Sequence, residues 1–127
     1  MKVYVIKDGN TRKDGVYGTR EIAASYVHTN ETVHEEVVIE IPSDHVDLGV
    51  DIQTEADEAV LKRTTGERWV VTGGSPYVRV MYRTHPKAEQ FVIQQRKNYA
   101  GWSGSLVRFV DGKESPLPPE TRILTAQ

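Results

Sequence analysis

Residues 4–27 read YVIKDGNTRKDGVYGTREIAASYV, and residues 69–92 read WVVTGGSPYVRVMYRTHPKAEQFV. Laid over one another without a gap, the two stretches agree in kind wherever local structure is decided. Gly9 meets Gly74, Val16 meets Met81, Tyr17 meets Tyr82 and Thr19 meets Thr84. Ala23 then meets Ala88, Tyr26 meets Phe91 and Val27 meets Val92. Each stretch opens on an aromatic-aliphatic run, turns at glycine and enters a second apolar run. A threonine follows, placed to accept a hydrogen bond from an orphan amide of the helix behind it. Alanine, aromatic and valine at helical spacing complete that helix.

Working outward, Val37–Ile41 and Leu106–Val110 read as closing strands. They match at an offset four residues longer (Val37 to Leu106) than the offset from Tyr4 to Trp69, so the second copy carries extra loop. The spacing predicts helices from about Arg20 to His28 and from Thr84 to about Lys97, with Pro86 tolerated in the first turn. The fold class that follows is α+β: two pseudo-repeated ββαβ units, 1–41 and 68–110, packed as one compact domain over 1–127. An acidic connector, 42–67, carries a short helix opened by the Thr54–Asp57 capping pair. A proline-rich tail, 111–127, reads as extended chain with a last edge strand near Arg122–Thr125. Sheets this small leave open edges, so a homodimer joined through them is an expectation.

Net charge is −2, and it conceals a segregation. From Glu31 to Glu58 the chain holds ten carboxylates (Glu31, Glu35, Glu36, Glu40, Asp44, Asp47, Asp51, Glu55, Asp57 and Glu58) and no Lys or Arg. From Arg68 to Arg108 it holds seven cations (Arg68, Arg79, Arg83, Lys87, Arg96, Lys97 and Arg108) against the single carboxylate Glu89. Two readings stand: the halves neutralise each other, within a chain or across a dimer, or the basic half meets an anionic partner.

Cysteine is absent, which excludes disulfides, thiolate metal sites and a cysteine nucleophile. No apolar run approaches the roughly 20 residues of a membrane helix. The first strand turns polar at Lys7-Asp8, too early for a signal peptide. The expectation is a cytoplasmic protein without a membrane partner.

His28, His34, His45 and His85 lack the spacing of a zinc site. Asp44, Asp47 and Asp51 could form a weak surface site for a hard cation, but they lack the glycine and terminal glutamate of a calcium loop. Gly73-Gly74-Ser75 joins two strands, where a hairpin turn accounts for it better than a phosphate cradle. Gly101-Trp102-Ser103-Gly104-Ser105 precedes a strand, whereas a serine nucleophile elbow follows one. No catalytic residue, metal or cofactor is therefore assigned. The strongest candidate surface is basic and aromatic: Arg79, Arg83, Arg96, Lys97, Tyr99 and Trp102. Trp102 admits two readings, a recognition residue in the Tyr99–Gly104 loop or a cover for one end of the core.

The opening strand Val3–Ile6, with Tyr17, Thr19, Arg20, Glu21, Ala23, Ala24 and Tyr26, resembles a group of small proteins common in bacteriophage genomes. The resemblance covers residues 1–41 and, by the repeat, 68–110. It implies an accessory protein that acts by binding in the host cytoplasm. The leading expectation is thus a non-enzymatic protein that occupies a host macromolecule or sequesters a small anionic signal. A nucleic-acid-binding module using the basic half is the second expectation. A small hydrolase or transferase working through His85 or the Gly101–Ser105 loop is the third.

Overall fold

The computed structural model describes residues 1–118. Strand β1 (Lys2–Asp8) alternates its side chains: Val3 and Val5 turn to one face, Tyr4 and Ile6 to the other. Beyond the Gly9-Asn10 turn, β2 (Thr11–Arg12) pairs with its end, and Tyr17 exchanges two backbone hydrogen bonds with Tyr4 at 2.9 and 2.8 Å. Thr19 Oγ1 accepts from the Ile22 amide at 3.2 Å and opens α1 (Arg20–Ala24). β3 (Glu31–Val37) returns antiparallel to β1, giving a three-stranded sheet in the order β2-β1-β3.

The rest of the chain adds β4 (Val50–Asp51), α2 (Glu55–Arg63), β5 (Glu67–Gly73), β6 (Val78–Tyr82), α3 (His85–Asn98), β7 (Gly104–Val110) and β8 (Lys113–Ser115). These strands form a second antiparallel sheet in the order β4-β6-β5-β7-β8. Trp69 of β5 stands opposite Tyr82 of β6, as Tyr4 stands opposite Tyr17 in the first sheet.

Val3, Val5 and Val16 from one sheet share a buried cluster with Val70 and Met81 from the other, joined by Val60 and Leu61 of α2. Each fully buried valine contributes roughly 1.5–3 kcal/mol over its exposed state. The outer faces are covered separately. Ala23 of α1 packs on Ile6 and Tyr17, while Ala88 and Val92 of α3 pack on Trp69, Val71, Val80 and Tyr82. The protein is therefore a mixed α+β structure in which two sheets meet face to face and a helix backs each of them.

Several expectations are corrected. Helix α1 ends at Ala24 instead of near His28, because Ser-Tyr-Val-His-Thr-Asn is a run of poor helix formers and Ser25 Oγ donates to the Ile22 carbonyl at 2.6 Å. The closing strand lies at Glu31–Val37, not Val37–Ile41. Its register is held by Val33 opposite Ile6 and by three ion pairs, Lys13–Glu31 at 2.5 Å, Arg12–Glu36 at 3.7 Å and Lys2–Glu35 at 3.9 Å. Thr84 makes no side-chain cap to its helix. Asp47 instead fixes the two residues that lead into the helix, accepting from the Arg83 amide at 2.6 Å, the Thr84 amide at 3.0 Å and the Thr84 hydroxyl.

The connector is not a spacer. His45 bridges Val16 in parallel, and Val50–Asp51 pairs with Val80–Met81, so this segment runs along one edge of both sheets in turn. The chain passes closely there. A Cβ on Gly18 would sit 2.0 Å from the Gly49 carbonyl oxygen. Within the tail, Lys113–Ser115 pairs with β7 as β8, and Leu117 packs on the outer cluster. The edge strand expected at Arg122–Thr125 lies outside the described residues.

Candidate functional site

The basic and aromatic residues singled out by sequence do not converge. Arg79 turns inward from β6 and is held by α2: its Nε donates to Glu58 at 2.9 and 3.2 Å, its Nη2 lies 2.7 Å from Glu58 Oε1, and its Nη1 donates to Thr72 Oγ1 at 2.7 Å. Arg83, at the other end of β6, donates from Nη1 to the His45 carbonyl at 2.6 Å. Arg96 and Lys97 occupy the last turn of α3, about 20 Å along the helix from Arg83 at 1.5 Å per residue. Arg96 is engaged within the chain, whereas Lys97 and Tyr99 are exposed.

Trp102 is a correction. It is 3% exposed, its Nε1 donates to the Pro76 carbonyl at 3.1 Å, and its ring lies between Gly74 and Gly104. A Cβ on either glycine would come within 2.0 and 2.2 Å of the indole, respectively. This tryptophan fills the core and offers no ring to a partner. The acidic stretch meets the basic one at Glu58–Arg79, whereas Glu31, Glu35, Glu36 and Asp44 pair with Lys13, Lys2 and Arg12 of the first half, and Arg108 pairs with Glu67, outside the acidic stretch, at 2.7 Å.

The concave surface lies along the connector. After β4, the Ile52 amide donates to the Arg79 carbonyl at 2.8 Å, keeping the chain extended against β6. The capping box then stops it. The Asp57 amide donates to Thr54 Oγ1 at 3.1 Å, and Asp57 Oδ2 accepts from the Thr54 and Gln53 amides at 3.3 and 3.0 Å. Residues 51–54 thus form a low wall between two cavities of about 600 and 590 Å³, both bordered by Asp51, Gln53 and Thr54. Cavities of this size suit a small ligand or a peptide side chain.

Both sides mix carboxylates with cations, and each carries one tyrosine. One cavity is bordered by Asp51, Glu55 and Glu58 against Arg79, which Glu58 already neutralises, and by Tyr77, whose residue is 70% exposed. Burial, with Asp57 nearby, pushes the Asp51 carboxyl above its ordinary value. The other cavity is bordered by Lys2, Tyr4 and Arg20 with the carboxylates Glu21 and Asp57, and the Arg20 guanidinium lies 5.3 Å from the centre of the Tyr4 ring.

The other constellations separate. Asp44 accepts from Arg12 and the Gly15 amide at 3.2 Å each, Asp47 holds the Arg83 and Thr84 amides and Asp51 borders the cavities, so the three acids do not share a cation. His85 lies edge-on to Trp69 with ring centres 4.9 Å apart. Among the described residues, no helix is long and apolar enough to cross a membrane.

Comparison with protein families, curated proteins and solved structures returns no match. The site rests on its own geometry. Sequence reasoning missed Gln53 and Thr54 as site residues because their position depends on β4 joining β6, a pairing with no local signal.

Proposed function

We propose that this protein is a binding module, not an enzyme, and that it grips an extended segment of a partner protein along the trough divided by residues 51–54. The observation that carries this reading is the pair of cavities meeting at Asp51, Gln53 and Thr54, one of them lined by exposed Tyr77 together with Asp51 and Glu55, two carboxylates that make no ion pair among the described residues. A Lys or Arg of the partner fits between that ring and those carboxylates. In the bacteriophage setting implied by the resemblance, the segment belongs to a host protein.

We also infer that the framework arose by tandem duplication of a strand–strand–helix–strand unit. The equivalent pairs Tyr4 with Tyr17 and Trp69 with Tyr82 support this, as does their shared alternation of inward and outward residues. The copies differ most in their helices, five residues in α1 against fourteen in α3. The trough lies along the connector, which belongs to neither copy.

Calorimetric titration with arginine-bearing, neutral and glutamate-bearing peptides of equal length tests the reading. The arginine-bearing peptide should bind, and Tyr77→Ala should weaken it about 2- to 30-fold, the range for a cation on an aromatic face. Equal affinity of Tyr77→Ala, or preference for the acidic peptide or single-stranded DNA, would replace this site with Lys97 and Tyr99 at the end of α3.

A further inference from the structure

Three of the four buried side-chain nitrogens that lack a hydrogen-bond partner, among the described residues, belong to two neighbouring side chains: Nδ1 and Nε2 of His45 and Nε of Arg68. His45 is only 2% exposed. Arg68 precedes Trp69 and Arg83 follows Tyr82. Because the β5–β6 ladder pairs Trp69 with Tyr82, the two arginines lie one step beyond it on adjoining strand ends, close enough for the charge of Arg83 to disfavour that of Arg68. Like charges so placed repel. Buried nitrogens without partners carry a further cost.

Among the described residues, the carboxylates whose charge reaches this cluster, Asp47 and Asp44, place their hydrogen bonds elsewhere. Asp47 spends its oxygens on the Arg83 amide and on the amide and hydroxyl of Thr84. Asp44 spends its side chain on Arg12 and the Gly15 amide. Arg68 Nη1 donates to the Glu67 carbonyl at 2.7 Å, and Arg83 Nη1 to the His45 carbonyl at 2.6 Å. The local balance is two guanidiniums and an imidazole facing carboxylates that are already committed.

We propose that Arg68, Arg83 and His45 form a binding site for a small oxyanion of the phosphate class, separate from the trough. Its oxygens accept from Arg68 Nε and from the His45 ring N–H, and its charge separates the two guanidiniums. Charge-assisted contacts of this kind are the strong ones. Arg83 is exposed and marks the solvent side of the site. Asp47 remains on the Arg83 and Thr84 amides and holds that backbone in place.

Nuclear magnetic resonance of ¹⁵N-labelled protein, titrated with inorganic phosphate at constant ionic strength, tests the proposal. The His45 ring nitrogens and Arg68 Nε should shift together and saturably, while the Lys97 amide stays still. The melting temperature should rise along the same saturation curve. Arg68→Lys keeps the charge but loses the Nε–H, and should weaken phosphate roughly tenfold or more. Shifts that stay linear, that are absent, or that match those of Lys97 would overturn the site, leaving buried water as the partner of these nitrogens. An unchanged response in Arg68→Lys would mean an adventitious ion only. If that variant fails to fold, the wild-type titration alone decides.

Discussion

His45 makes the stability of the protein sensitive to mild acid, and the size of the effect follows from its surroundings. Burial lowers its pKa from 6.5 to about 4, with Asp47 and Asp44 opposing the shift and Arg68 and Arg83 adding to it. The unfolded chain therefore binds a proton at pH values where the folded chain refuses it. Stability is complete above pH 6.5 and falls as pH drops toward 4, at about 1.4 kcal/mol per pH unit. The loss reaches roughly 3 kcal/mol, a large part of the 5–15 kcal/mol typical of a domain. Urea unfolding at pH 7.5 and 4.5, in phosphate-free buffer, measures it. The wild-type midpoint should fall by roughly 1–2 M at the lower pH. His45→Gln, which cannot titrate, should lose less over that range. The comparison is needed because other groups contribute: Glu31 and Asp44 have lowered pKa values and destabilise the fold on protonation, whereas Asp51 has a raised pKa and acts in the opposite sense. Equal losses in wild type and His45→Gln, or an imidazole that titrates near 6.5 in the folded protein, would refute the reasoning.

Three further outcomes follow from packing and capping. Gly104→Ala drives a methyl into the Trp102 ring and should cost about 1–3 kcal/mol in chemical denaturation. Asp47→Ala strips the Arg83 and Thr84 amides of their acceptor and should cost about 2 kcal/mol, more than Thr84→Val, which leaves both amide bonds intact. Arg79→Met removes a half-buried ion pair and the bond to Thr72, and should cost about 1 kcal/mol after discounting for solvent. Its loss should shrink at high salt, a dependence that Gly104→Ala should lack.

Much of the framework was legible where the signal is local. The Thr54–Asp57 capping box, the Thr19 cap, the strands on either side of Gly74 and the helix bearing Ala88 and Val92 all follow from short spacings. The misses follow from distance. Thr84 looks like a cap in sequence, but its partner Asp47 lies 37 residues away. The apolar run Val37-Val38-Ile39 suggested the heart of a strand, yet Val37 is 74% and Ile39 71% exposed. The true strand sits among Glu31, Glu35 and Glu36, whose charges hid the alternation of Val33 with its neighbours. Trp102 resembled a recognition residue because glycines flank it. Those near it in space, Gly74 and Gly104, exist to admit its ring. The candidate site was least legible, since it depends on a connector pairing with β6.

Binding along residues 51–54 is tested most directly by backbone amide shifts of labelled protein on adding an unlabelled arginine-bearing peptide. The account predicts that the largest changes fall at Gln53, Thr54, Tyr77 and Arg79, and that they vanish in Asp51→Asn/Glu55→Gln. Shifts confined to Lys97, Tyr99 and the end of α3, with residues 51–54 unmoved, would contradict it.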